Sequence, residues 1–150
     1  MPNKVDKLPW ETEEQVKYRR LLVRASTKIT KGMNRIEKAY RRSIRSKKPA
    51  DYLEAASIFQ SLAKEIEKAS PPQAYAEVHT LLTQGVESYN RAVEHLIEAA
   101  KSRNVQTNDK AVRYFQEGSS FIRIARSRSW NIVETGQKEH KQAEKQASGQ

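Results

Sequence analysis

Nine cations stand in one row of this 150-residue chain: Lys17, Arg20, Arg24, Lys28, Lys31, Arg35, Lys38, Arg42 and Arg45. Their spacings of three and four residues place them on one face of an α-helix. A rigid row of like charge attracts a polyanion, either a nucleic-acid backbone or an acidic protein surface. Phosphate contacts made by such a row are sequence-independent and weaken with salt. The competing use is internal. The next helical segment carries Asp51, Glu54, Glu65 and Glu67, and the one after it Glu77, Glu87, Glu94 and Glu98. These eight carboxylates can neutralise the inner flank of the row and leave its outer flank charged. A further cluster, Arg123, Arg126 and Arg128, strengthens the polyanion reading if it lies beside the first helix.

Other reactive residue types offer less. His79 and His95 are too far apart on one helix to share a metal, and His140 falls near the C-terminus. Three residues before His79 and His95 stand Ala76 and Ala92, so the Glu-x-x-His pattern of di-iron bundles is absent. His79 is expected to be a partly buried, hydrogen-bonded structural histidine, and His95 to pair at the surface with Glu98. No cysteine is present, which removes disulfides, thiolate nucleophiles and cysteine-ligated metals. No serine has a nucleophile-elbow context, and no phosphate-binding or dinucleotide glycine motif occurs. The expectation is a non-enzyme without metal or cofactor.

The row needs a helix to carry it. Thr12 with Gln15 reads as a capping box, after Pro9 has blocked any earlier start. An apolar stripe then runs through Tyr18, Leu22, Ala25, Ile29, Met33, Ile36, Tyr40 and Ile44, up to Pro49, with Gly32 as a candidate bend. The second helix carries Tyr52, Ala55, Phe59, Leu62, Ile66 and Ala69 at heptad-like spacing. Pro71-Pro72 breaks the chain before a third helix marked by Tyr75, Val78, Leu82, Val86, Tyr89, Val93, Leu96 and Ala100. Gly85 on it offers a close helix contact. A polar loop over Ser102–Thr107, capped by Thr107 or Asn108, leads to a fourth helix. Its inner face carries Ala111, Phe115, Gly118, Ile122, Ala125, Ser129 and Ile132, with a stop at Gly136. Trp10 and Trp130 are expected to cover the bundle end.

The short links predict an all-α, antiparallel up-down-up-down four-helix bundle with a long basic first helix. Its expected extent is 10–136, between a flexible N-terminus over 1–9 and a disordered polar tail over 137–150. Pro71-Pro72, Tyr75, His79, Leu82, Tyr89, Ala99-Ala100, Tyr114-Phe115 and Glu117-Gly118 resemble a pattern in small uncharacterised helical domains of bacteria. Many of those domains occur in lipoproteins of Gram-positive organisms. The resemblance covers about residues 50–126 and implies a non-enzymatic helical domain, with no functional residues to transfer. The chain departs from that pattern in its basic first helix and in lacking a lipidation cysteine.

Charge and composition sharpen the expectation. The net charge is +10, yet Lys17–Lys48 holds thirteen Lys and Arg against Glu37 alone. That segment is therefore +12 and the rest of the chain −2. Apolar residues make up 37%, below the usual ~45–50%, which suits a narrow helical core. The longest charge-free stretches have 9 residues, against the roughly 20 a membrane span needs. The functional expectation is a binding or scaffold module whose first helix docks an anionic partner. The alternatives are a structural protein self-associating through that helix as a homo-oligomer, or a domain of the cell envelope. A cytoplasmic location is expected, and an envelope one if a leader sequence is missing from the chain.

Overall fold

A computed structural model describes residues 5–46, 49–102 and 105–149, with the side chains of 42–46, 51 and 105 outside that description. The described residues form α1 (Glu13–Ser46), α2 (Leu53–Lys68), α3 (Ala76–Ser102) and α4 (Val105–Ser148). Short 3-10 turns at Pro49–Tyr52 and Gln73–Tyr75 lead into α2 and α3.

Helix α1 starts where its capping box forms. The Thr12 amide donates to Gln15 Oε1 at 2.9 Å, and the Gln15 amide donates to Thr12 Oγ1 at 3.1 Å. Two of the amides that a helix start leaves without partners are thereby satisfied. Glu13 and Glu14 follow at the positive end of the helix dipole.

Cross-links between helices define an antiparallel order. Arg24 and Lys28 meet Glu65 while Arg35 meets Glu54, so α1 and α2 run oppositely. Glu77 meets Arg128 and His95 stacks on Tyr114, so α3 and α4 do as well. Tyr52, Ala55, Phe59, Leu62 and Ile66 from α2 and its lead-in turn are buried against Val86, Tyr89 and Val93 of α3. A smaller cluster of Tyr18, Leu21, Tyr75, Val78 and Ala125 closes one end. The all-α antiparallel bundle read from the periodicity is the fold.

Glycines lie at two of the helix contacts. Gly32 lies under the Phe59 ring and draws α1 onto α2. Gly85 and Gly118 face each other across α3 and α4, each near the other's carbonyl oxygen. Among the described residues, α1 and α4 make no extensive backbone approach. The bundle therefore has three successive helix pairings, of which α3 with α4 is by far the most extensive, and one open seam.

Several expectations are corrected. The polar loop over Ser102–Thr107 shrinks, because α3 ends at Ser102 and α4 begins at Val105. Thr107, expected as a cap, is a buried helical residue. Helix α4 does not stop at Gly136: it continues to Ser148, so 137–148 are helical rather than a disordered tail. Gly136 instead leaves room for the Trp10 indole. Residues 5–9 of the expected flexible N-terminus are held by hydrogen bonds from Arg19 to Asp6 and from Arg20 to Val5. Tyr40, placed on the buried stripe, is 50% exposed, while Val16, Leu21 and Ala39 are buried. Ile44 lies outside the described side chains. Trp130 is 64% exposed, at a cleft between α1 and α4.

Candidate functional site

The basic row occupies the flank of α1 nearest α2. Three of its members have carboxylate partners there: Glu65 accepts from both Arg24 Nε at 3.1 Å and Lys28 Nζ at 2.5 Å. Arg35 Nε stands 3.0 Å from a Glu54 oxygen. Lys28 and then Arg24 hold the Glu65 carboxyl below the ordinary carboxylate value, against the opposing effect of burial. The other described members differ. Lys17, Lys31 and Lys38 are exposed, and among the described residues no carboxylate pairs with them. Arg20 is exposed, donates to the Val5 carbonyl at 3.1 Å and acts by its charge on Glu11 and Glu13, without an ion pair among the described residues. From Lys17 to Lys38 the row extends about 31 Å at 1.5 Å per residue. Arg42 and Arg45 continue it in sequence, with side chains outside the described residues.

The second basic cluster is divided. Arg128 pairs with Glu77 of α3 at 3.4 Å. Arg126 lies beside α1, lining a cleft with Arg19, Val23 and Ser26. That cleft borders the flank of α1 away from α2, so Arg126 does not extend the row. Arg123 is exposed and has no ion pair among the described residues.

One polar constellation escaped the periodicity argument. Glu11 is 7% exposed and lies just before the helix cap. Arg19 grips it with two donors, Nε to Oε2 and the terminal nitrogen to Oε1 at 2.6 Å. Glu11 Oε1 also accepts from the Leu8 amide at 2.8 Å. Burial alone would raise the Glu11 carboxyl. The Arg19 fork, the Leu8 amide and the nearby guanidinium charges outweigh burial and hold it below the ordinary value. The pair clamps residues 6–11 across the start of α1, a structural task. Neither residue has a helical-spacing partner, so periodicity carries no signal for them.

The histidines are likewise structural. His79 Nδ1 is 2.9 Å from the Tyr18 hydroxyl, and burial lowers its pKa, so the ring favours its neutral form. Burial, with Tyr75 adding, raises the Tyr18 pKa and keeps that hydroxyl protonated. The Tyr75 hydroxyl is pushed up to about 12 by burial first and by Glu11 second. His95 lies flat on Tyr114, with ring centroids 5.2 Å apart, and its Nδ1 stands 3.9 Å from Glu98, outside hydrogen-bond reach. His140 packs on Trp10 and stands 3.1 Å from Glu144. Among the described residues, no group of three or more potential metal-ligating side chains converges. No described helix is long and apolar enough to cross a membrane.

Comparison with protein families, with curated proteins and with solved structures finds no match to this chain.

Proposed function

We propose that this protein is a non-catalytic helical module that docks the phosphate backbone of a nucleic acid on the unpaired cations of α1. The observation that carries this reading is the asymmetry of the row. Arg24, Lys28 and Arg35 are partnered by α2, whereas Lys17, Arg20, Lys31 and Lys38 are exposed on the same helix with no ion pair among the described residues. A row about 31 Å long suits a repeating anion better than a compact acidic patch. The row offers charge without base-reading side chains, so binding is insensitive to sequence. The protein then works as a scaffold or packaging component.

Retention on duplex DNA across a salt series tests the reading. Four neutralised phosphates give a slope of log K against log salt of about −3.6. The triple variant K17E/K31E/K38E touches no ion pair of the bundle, so it should keep the wild-type melting temperature and lose binding. Unchanged DNA affinity in that folded variant would refute the proposal.

A further inference from the structure

Two glycine contacts pull α1 onto α2 and α4 onto α3, and the seam between α1 and α4 stays open. It holds a cleft of about 350 Å³, within the ~300–1,000 Å³ typical of small-molecule sites. Leu22 and Ile29 of α1 and Ile122 and Val133 of α4 form its walls, with Leu82 of α3 among them. Trp130, 64% exposed, also lines the cleft. The wall on α1 runs from Arg19 to Ile29, a trough about 15 Å long at 1.5 Å per residue. This is the shape of a chain rather than of a compact ring.

Four polar side chains accompany the apolar walls: Arg126 and Ser129 on α4, and Arg19 and Ser26 on α1. Arg126 is exposed and has no carboxylate partner among the described residues. The other guanidinium on the cleft, Arg19, is already committed to Glu11 and the Asp6 carbonyl. One uncommitted guanidinium calls for one anion, and a carboxylate can take two parallel N–H···O bonds from it. The serine hydroxyls add further donors.

Other occupants fit less well. A second copy of this chain would bring +10 against +10. Residues 137–148 have no bulky apolar side chain to seat in the trough. A nucleic-acid backbone gains nothing from apolar walls.

We infer that the α1–α4 cleft binds a free amphipathic carboxylate, an unbranched acyl chain ending in one carboxylate held by Arg126. The site lies on the flank of α1 away from the basic row and stands independently of the docking function proposed above.

Sodium decanoate at submicellar concentration is the probe, followed by titration calorimetry and tryptophan emission, with decan-1-ol as the uncharged control. Saturable one-to-one binding is expected. R126A should weaken decanoate about tenfold or more and leave decan-1-ol unchanged, as the loss of charge-assisted hydrogen bonds requires. S26F, which fills the trough, should abolish both ligands while circular dichroism shows a retained helix content. W130F should remove most of the emission change yet keep calorimetric binding. K31E/K38E should leave decanoate affinity unaltered. Absence of saturable binding, equal affinity in wild type and R126A, or a loss in K31E/K38E matching that in R126A would each overturn the inference.

Discussion

The Phe59 ring lies directly against the backbone of Gly32: a β-carbon there would fall 2.6 Å from Phe59 Cζ and 2.8 Å from Cε2. Phe59 is fully buried and packs on Tyr89 with ring centroids 5.3 Å apart, so it has nowhere to swing. Replacing Gly32 by alanine gains about 1 kcal/mol of helix propensity. Overpacking of this kind costs about 1–3 kcal/mol. G32A is therefore expected to lower stability by on the order of 1 kcal/mol in denaturant unfolding. In an F59L background the same change should become neutral or stabilising.

The α3–α4 crossing supplies a ranked pair. A β-carbon on Gly118 meets Tyr89 at 2.9 Å and the Gly85 carbonyl oxygen at 3.0 Å, an obstacle made partly of backbone. On Gly85 the nearest obstacle is Ile122 Cδ1, the far end of a flexible side chain. G118A should therefore lose more stability than G85A, by roughly 1 kcal/mol or more. Thermal melts of the two single variants check the order, and an equal or reversed ranking would contradict the packing.

Removing Arg19 leaves a buried Glu11 carboxylate without its counter-charge. R19M should lose roughly 3 kcal/mol, and E11L/R19M should recover most of that loss. The pH dependence follows from the depressed Glu11 pKa. The pair stabilises fully above the ordinary carboxylate value and progressively less as pH falls through the folded-state value. Unfolding free energies from pH 6 down to 3 should therefore fall less steeply in the double variant than in wild type.

His79 gives an acid sensitivity with a different window. Its folded-state pKa lies below the ordinary histidine value because burial disfavours the charged ring. The unfolded chain therefore binds the proton first. The contribution is fully present above about pH 6.5 and is lost as pH drops toward the folded-state value. Stability measured at pH 7.5 and 5.5 should decline in wild type and decline less in H79Q.

Periodicity was a good guide wherever burial followed one face of one helix. Tyr52 to Ile66 and Tyr75 to Leu96 are buried at the positions the spacing selects, and the last member of each stripe, Ala69 and Ala100, is partly buried. The capping box was readable because its two partners are three residues apart. Helix α1 was harder. Its buried face turns toward Val16, Leu21 and Ala39, because α2 draws it by one flank, and Tyr40 is left 50% exposed. The Glu11–Arg19 clamp involves a non-helical residue eight positions away, where no period applies. Gly136 had the local chemistry of a helix stop, and tertiary contact with Trp10 gives it another role. The row itself was legible as charge. Its division into partnered and bare cations required knowing where Glu54 and Glu65 fall across the interface.

The short links and the sequential pairing of α1 with α2, α2 with α3 and α3 with α4 have a kinetic consequence. Each hairpin closes over few intervening residues, and the entropy cost of closing a chain rises with the length enclosed. The open α1–α4 seam postpones the most distant closure, leaving it to the contact of Trp10 with Gly136 and His140. A topology of this kind belongs with the fast folders, in which neighbouring hairpins form locally. The N-terminal segment, whose contacts with α4 span the longest stretch of chain, is expected to dock last.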